Sequence, residues 1–303
     1  MLRSEETTTS PVAQVLRAGR VRIWAVAVLA VTFLLAIQGS FPSVVPTIPG
    51  DLATGVLVVV FLAAIVCEYI DSALGMGYGT TLTPLLLLAG FEPQQVVPCI
   101  LLSEFVTGLS AAVMHHRDGN MDLLRDRRVL GTAGLLSVLS VLGGAIAVIL
   151  AVSIPQVWVK VIIAVVVLSV GVLTLATVGR RLRFRPGHIV ALGAVAAFNK
   201  GISGGGYGPL VTAGQVVSGI SPKHAVGITS LAESLTCLVG LIGYFLVQGR
   251  IDWALAVPLT LGALFSVPIA TLTVRVLSEK VMRTSVGLVT CGLGLMMVVK
   301  LVW

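Results

Sequence analysis

Five ionisable residues lie within strongly apolar sequence, where an uncompensated charge is costly. They are the lysine Lys200 and the carboxylates Glu68, Asp71, Glu104 and Glu233. Because an ionised side chain at bilayer depth costs at least about 2.5–3.5 kcal/mol on insertion scales, such residues commonly bind an ion or have a partner. An ammonium could complement an anion. A carboxylate beside an anion is repulsive when ionised and tolerable when protonated, which suits proton coupling.

Two runs of glycine interrupt the apolar regions at about 57–90 and 188–218. The runs are GMGYG at 75–79 and GGGYG at 204–208. Because each glycine costs a helix about 1 kcal/mol relative to alanine, we expect a helix, a sharp break and a second, shorter helix in each region, at 79–90 and 208–218. Irregular backbone at membrane depth is tolerated where protein or a water-filled cavity satisfies it, so the breaks mark the predicted pathway.

The short helices after the breaks are predicted to begin inside the membrane. Thr80 and Thr81 begin one, and Pro209 suits the first position of the other. Free N–H groups and the positive dipole end favour an anion there. The predicted substrate-binding residues are Gly77, Tyr78, Gly79, Thr80, Thr81, Asn199, Lys200, Ser203, Gly206, Tyr207 and Gly208. The alternatives are that the glycines only permit tight helix packing and that the tyrosine hydroxyls bond only to backbone.

An internal repeat relates the two broken elements. A shift of 129 positions aligns three informative pairs, Tyr78 with Tyr207, Pro93 with Pro222 and Glu104 with Glu233, besides four of the glycines. Duplication is the best explanation.

The repeat also aligns Asp71 with Lys200. These residues could form an ion pair across a pseudo-two-fold axis, or Lys200 could contact the substrate, and the two roles are not exclusive. Glu104 and Glu233 could couple protons or make a hydrogen-bonded contact between helices. Glu68, one helical turn from Asp71, could line the way to the site or pair locally.

Composition places these elements in a membrane. The chain is 56% hydrophobic and only 11% charged, with a mean hydropathy of +1.04, whereas a soluble domain is about 25% charged. Apolar runs of spanning length occur at 22–40, 94–114, 130–151, 157–178, 223–247, 253–275 and 281–302. No signal peptide opens the chain, so we expect the first run to be retained.

No sequence motif points to an enzyme, a cofactor or a metal. The four cysteines lie in apolar segments without metal-ligand spacing, and there is no phosphate-binding loop. His115 and His116, beside Arg117, are expected to be a solvated pair at the cytoplasmic edge. The net charge of +7 is interpreted as a signal of membrane orientation rather than of nucleic-acid binding.

Charge counting predicts the orientation of the two halves. If each broken element enters and leaves on one face and the N-terminus is cytoplasmic, sixteen of the twenty basic residues lie inside: Arg3, Arg17, Arg20, Arg22, Arg117, Arg125, Arg127, Arg128, Arg180, Arg181, Arg183, Arg185, Lys223, Arg275, Lys280 and Arg283. A hairpin plus three spans makes an odd number of crossings. The halves are therefore predicted to be inverted relative to each other.

The predicted organisation is an all-α polytopic membrane protein with two inverted repeats. It comprises a cytoplasmic segment at 1–21, an extra transmembrane helix at 22–40, repeat 1 at 57–178 and repeat 2 at 188–302.

The residues around both breaks resemble the sulfite exporter TauE/SafE family, also called the 4-toluene sulfonate uptake permeases. In the first half the similarity lies in the Gly-x-Gly-x-Gly break followed by Thr80-x-x-x-Pro84 and four leucines. In the second half it lies in GGGYGPL at 204–210 and ISPKHAVG at 220–227, and GRIDW at 249–253 resembles the next loop of the family. The resemblance implies transport of small sulfur-containing or organic anions, such as sulfite or sulfonates, in either direction. Glu104 and Glu233 are not part of the recognised pattern.

We therefore predict a secondary transporter of a small anion in a bacterial inner membrane, working by alternating access. Protons are the candidate coupling ion, through Glu104 or Glu233, and a homo-oligomer is a candidate assembly. An anion channel on the same scaffold is the alternative function.

Overall fold

The computed structural model describes residues 54–121, 127–178, 186–217, 220, 222–273 and 279–302. Within these ranges it has ten α-helices and no strand: α1 (Thr54–Leu74), α2 (Tyr78–Leu88), α3 (Pro93–Arg117), α4 (Arg127–Ser153), α5 (Gln156–Ala176), α6 (Pro186–Ser203), α7 (Tyr207–Val217), α8 (Pro222–Gln248), α9 (Trp253–Thr273) and α10 (Glu279–Val302). The predicted segment at 1–21 and the predicted helix at 22–40 lie outside the described residues.

Six of these helices are long and apolar enough to cross a membrane. They are α1, α3, α4, α5, α8 and α9. Large apolar side chains point away from the protein on several of them, including Val59, Leu142 and Leu246, which are 63%, 62% and 78% exposed. Extensive exposed apolar surface is typical of a lipid-facing surface. The prediction of an all-helical polytopic membrane protein is confirmed at this level.

Both glycine runs break their helices with nearly the same backbone geometry. Gly75 after α1 and Gly204 after α6 each have φ of 69°, which places them in the left-handed region where glycine has no steric penalty. The following short helices begin at Tyr78 and Tyr207, one residue earlier than predicted. Pro209 therefore lies in the first turn of α7 rather than at its first position.

The two sets of five helices pack reciprocally. With α1–α5 aligned to α6–α10, α1 packs on α9 just as α6 packs on α4, and α3 packs on α9 as α8 packs on α4. Two pairs of equivalent helices also contact each other directly, α3 with α8 and α5 with α10. The described helices thus pack with an approximate two-fold relationship.

The equivalent helices that touch run in opposite directions. On α3 and α8, Gly108 lies against Ser230, while the earlier residue Leu101 lies against the later residue Gly240. On α5 and α10, likewise, Leu168 lies against Gly294 and Leu175 against Gly287. In each pair of helices, a later residue on one helix lies against an earlier residue on the other, so both pairs are antiparallel. Glycine at these contacts lets the helix backbones approach closely.

Candidate functional site

The two glycine breaks lie against each other, backbone to backbone. A Cβ added at Gly79 would overlap the carbonyl oxygen of Gly204, and one added at Gly208 would overlap the carbonyl oxygen of Gly75. Because a shift of 129 converts the first contact into the second, the crossing has the same two-fold relationship as the helices. Thr212, on α7, donates a hydrogen bond of 3.0 Å to the Gly75 carbonyl across the crossing.

The tyrosines of the breaks are fully buried, and both hydroxyls bond within the protein. The Tyr78 hydroxyl lies 2.7 Å from Ser103 Oγ and donates to the Leu259 carbonyl at 3.4 Å. The Tyr207 hydroxyl lies 3.4 Å from Ser140 Oγ. In this conformation both hydroxyls therefore already have protein partners.

Lys200 lies at the centre of a buried ion cluster. Its Nζ donates to Glu233 Oε1 at 2.7 Å and also forms an ion pair with Glu104. The three residues are at most 5% exposed. Charges in such a setting require close partners, since the loss of hydration is large. The lysine thus contacts the two glutamates rather than Asp71, its equivalent in the repeat.

The start of α2 is capped by two carboxylates. The Tyr78 amide donates to Asp71 Oδ1 at 3.4 Å, and the Gly79 amide donates to Glu104 Oε1 at 3.2 Å. These bonds satisfy two of the backbone N–H groups that were predicted to bind an anion at the start of this helix. The start of α7 is different, because no carboxylate of a described residue accepts a bond from the Tyr207 or Gly208 amide. The two ends are equivalent in the repeat but unlike in chemistry.

Four other residues predicted to bind the substrate have different roles in this structure. Ser203 Oγ donates to the Asn199 carbonyl at 2.7 Å and accepts from the Gly205 amide at 3.1 Å, so this side chain stabilises the second break. Gly77 and Gly206 complete the turns with φ of 133° and 81°. The Thr80 hydroxyl is buried and has no hydrogen-bond partner in the described part of the chain.

Three more predicted residues are placed around the crossing. Thr81 and Asn199 are half-buried, and Asn199 lies beside the turn at Gly206. Glu68 is 1% exposed and accepts hydrogen bonds from Ser72 Oγ at 2.6 Å and Thr107 Oγ1 at 3.1 Å. Glu68 therefore bonds to hydroxyls of α1 and α3, and Glu104 of the ion cluster acts on it electrostatically.

The prediction that His115 is solvated is wrong. His115 is fully buried, and its Nε2 lies 2.9 Å from the Ser72 carbonyl oxygen. Asn120 Nδ2 lies 3.0 Å from His115 Nδ1 and donates to the Thr271 carbonyl at 2.9 Å. The last turn of α3 packs one face against the protein, so its neighbour His116 is more exposed, whereas His115 points inward.

Sequence reasoning did not single out the hydroxyl residues that bond to Glu68, to the break tyrosines or to one another, namely Ser72, Ser103, Thr107, Ser140 and Thr236. A serine or threonine in a membrane helix commonly bonds to the backbone carbonyl four residues earlier. Its presence in the sequence therefore does not indicate a contact with another side chain. The repeat offers one usable signal, because Thr107 and Thr236 align at the same offset as the glutamates.

Apolar helices around a buried, charged crossing define a multi-pass membrane protein with a candidate site between its two broken helices. The sulfite exporter TauE/SafE family matches residues 59–297, and the chain belongs to this family.

A relative from Bacillus subtilis (strain 168), named "Probable membrane transporter protein YtnM", is 27% identical over 250 residues, which cover 76% of this chain and 79% of the relative. No solved structure matches. Together, the family and this relative identify the chain as a membrane transporter, which implies a small-molecule substrate.

Proposed function

We propose that this chain is a secondary transporter of a small anion, such as sulfite, a sulfonate or another sulfur-containing or organic anion. The observation that carries the proposal is the reciprocal crossing of the two breaks, Gly79 on Gly204 and Gly208 on Gly75, beside a buried lysine. Irregular backbone at a repeat interface is where secondary transporters bind their substrates.

The mechanism we propose is alternating access by two inverted repeats. Equivalent helices that pack antiparallel, as α3 does with α8, require a two-fold axis perpendicular to the helices. If the helices cross a bilayer, that axis lies in the membrane plane, and the two halves have opposite orientations. Rocking of one half against the other would then expose the crossing first to one side and then to the other.

The anion site that we propose lies at the start of α7 rather than equally at both short helices. The Tyr207 and Gly208 amides are free of carboxylate partners among the described residues, whereas Asp71 and Glu104 already accept from the amides at the start of α2. Lys200, one turn before the second break, supplies the positive charge. An anion that competes for Lys200 would release Glu104 or Glu233 from the ammonium, and the uncompensated negative charge of the cluster is the reason to expect coupling to protons.

Complete burial of the crossing favours a carrier over a channel on this scaffold. Tyr78, Tyr207 and Lys200 are each fully buried, which is the burial expected of a conformation closed toward both sides. A carrier passes through such an occluded state, whereas an open channel keeps a continuous path. We place the protein in a bacterial inner membrane with its N-terminus in the cytoplasm, following the charge distribution of the loops.

Flux into proteoliposomes tests the proposal. Purified protein would be reconstituted with unlabelled sulfite, thiosulfate or a sulfonate inside, and uptake of [35S]sulfite would be measured. A carrier gives saturable uptake that is stimulated by unlabelled substrate on the opposite side. Unsaturable flux without this stimulation would identify a channel, and no flux of any of these anions would contradict the anion substrate.

The same anions should stabilise the purified protein against heat. A ligand that binds the folded state at 100 times its Kd adds about 2.7 kcal/mol of apparent stability. Carboxylates of similar size serve as the comparison set, because they share the charge but not the geometry of the sulfur oxyanions. Stabilisation by carboxylates alone would indicate that the substrate is an organic carboxylate and not a sulfur compound.

A further inference from the structure

A third buried carboxylate, Glu68, lies beside the ion cluster but has no cation in contact with it among the described residues. Its oxygens accept from two hydroxyls, Ser72 Oγ at 2.6 Å and Thr107 Oγ1 at 3.1 Å. Glu104 and Glu233, by contrast, share the ammonium of Lys200. An ionised carboxylate that is 1% exposed without a cation is costly, so a neutral form of Glu68 is the better fit to this environment.

The hydrogen bonds of Thr107 also fit a neutral Glu68. Its single hydroxyl hydrogen has two acceptors, Glu68 Oε2 at 3.1 Å and the Ser103 carbonyl at 3.0 Å. One hydrogen cannot satisfy both. If Glu68 carries a proton on Oε2, that O–H donates to Thr107 Oγ1, and Thr107 donates to Ser103, so every group is satisfied. The site therefore accommodates both protonation states with a change of hydrogen-bond direction alone.

The second half of the chain provides an internal comparison. Thr236, the equivalent of Thr107, donates to the Ala232 carbonyl at 2.8 Å and has Ser140 Oγ at 2.5 Å as its second partner. The position equivalent to Glu68 is Ala197. The same threonine thus faces a carboxylate in one half and a neutral hydroxyl in the other, which makes the arrangement around Glu68 a departure from the two-fold relationship.

The groups that act on Glu68 electrostatically are mostly acidic. Asp71 lies on the same helix, and Glu104 faces it from α3. Tyr78 is near it on α2, while α9 carries no titratable side chain between Trp253 and Thr273. Lys200, from α6, is engaged by Glu104 and Glu233. A proton on Glu68 removes one negative charge from this set.

We propose that Glu68 is the proton-binding site of this transporter. A proton taken from water forms an O–H bond at Glu68 Oε2 and returns to water when that bond breaks, and the cluster loses and regains one negative charge. The proposal rests on the proposed transport function and names the coupling ion and its carboxylate. It moves the coupling role from Glu104 and Glu233, which share the ammonium of Lys200, to a carboxylate that no cation contacts among the described residues.

Infrared spectroscopy of the purified protein tests proton binding without reference to transport. A pH-difference spectrum should contain the C=O stretch of a protonated carboxylic acid, and the variant Glu68→Gln should lack that band. Thr107→Val should shift the band, because the acid loses its hydrogen-bond acceptor, whereas the matched variant Thr236→Val should leave it in place. A band that survives in Glu68→Gln, or that ignores Thr107→Val, would overturn the assignment.

Flux measurements test whether that proton is coupled. In proteoliposomes, the ratio of [35S]sulfite uptake with and without a proton gradient should exceed one for the native chain and fall to one for Glu68→Gln. An unchanged ratio would overturn the coupling role. Should the native chain move none of the sulfur anions tested, the transport proposal would fail while the infrared band still reports on Glu68, so the two failures can be distinguished.

Discussion

Glu104 and Glu233 share one counter-ion although they lie on different helices, α3 and α8. Both contact Nζ of Lys200, with Glu233 at 2.7 Å. They are repeat equivalents on antiparallel helices, so they meet where the two-fold relationship brings α3 and α8 together. The lysine has no counterpart in the first half, because Asp71 occupies that position. The exchange of Asp71 for Lys200 therefore contributes to the difference in charge between the two halves of the centre, as does the exchange of Glu68 for Ala197.

Removal of that lysine should be strongly destabilising. Lys200→Met leaves two buried carboxylates without their cation, which typically costs about 3–5 kcal/mol. The melting temperature of the purified protein should fall sharply, and Glu104→Gln with Glu233→Gln in the same chain should restore part of the loss.

Lys160→Met is the matched control for this prediction. Lys160 pairs with Glu92 at 2.9 Å, but the side chains are 30% and 51% exposed, and such a pair contributes about 0–1 kcal/mol. Equal melting temperatures for the two single variants would contradict the structural role of the cluster.

The crossing of the breaks should tolerate no side chain. Gly79→Ala and Gly208→Ala each place a Cβ on the backbone of the other break, and backbone cannot move aside as a flexible side chain can. We expect both variants to lose monodisperse folded protein in size-exclusion chromatography.

Gly134→Ala, in α4, serves as the control, because an added Cβ there meets nothing within 4 Å. Alanine favours a helix over glycine by about 0.8–1.0 kcal/mol, so this variant should be as stable as the native chain or slightly more so. A normal yield of folded Gly79→Ala protein would show that the breaks do not cross backbone to backbone.

The broken helices could be predicted because their cause is local. Consecutive glycines remove helix propensity wherever they occur, and the duplication supplies a second, independent copy of the pattern. The predicted boundaries of the two short helices, 79–90 and 208–218, lie within two residues of those in the structure. The spanning helices were predictable for a similar reason, since length and hydropathy depend on each segment alone.

The partner of Lys200 could not be predicted in this way. Aligning Asp71 with Lys200 shows that they are equivalent, but equivalent residues touch only if they lie near the symmetry axis. Contacts between α3 and α8 place Glu104 and Glu233 there instead. The burial of His115 was missed because neighbouring charges indicate a helix end without indicating which face of the last turn packs inward.

His115 should be neutral, with its hydrogen on Nε2. The Asn120 Nδ2 group can only donate, so Nδ1 of His115 must accept, and Nε2–H then donates to the Ser72 carbonyl. The Tyr244 hydroxyl makes the equivalent bond to the Gly201 carbonyl at 3.2 Å in the second half. Nitrogen NMR of 15N-histidine protein should show this tautomer for the buried histidine.

Asn120→Asp provides the contrasting variant for the tautomer. A carboxylate accepts where the amide donated, so Nδ1 should then carry a hydrogen, and the bond to the Thr271 carbonyl should be lost. His116→Gln identifies the neighbouring histidine signal without altering these bonds. A buried histidine protonated on Nδ1 in the native chain would contradict these hydrogen-bond directions.

The loops after α3 and α8 should lie on opposite sides of the membrane. They close with corresponding glycines, Gly119 at φ 68° and Gly249 at φ 66°, which match one residue beyond the offset of 129. The arginines Arg117 and Arg250 flank them. Because α3 and α8 are antiparallel and equivalent, these ends point in opposite directions. The distribution of basic residues predicts that Arg117 lies in the cytoplasm and Arg250 outside.

Cysteine labelling in intact bacterial cells distinguishes the two orientations. Cys67, Cys99 and Cys237 are buried and Cys291 is partly exposed, so Cys291→Ser provides the background. In that background a membrane-impermeant maleimide should label Arg250→Cys in intact cells and Arg117→Cys only after the membrane is opened. The opposite labelling pattern would mean that the whole protein has the reverse orientation in the membrane, with its two halves still inverted relative to each other. Labelling of both cysteines from the same side would be incompatible with inverted repeats, because two antiparallel equivalent helices that span one bilayer cannot end on the same face.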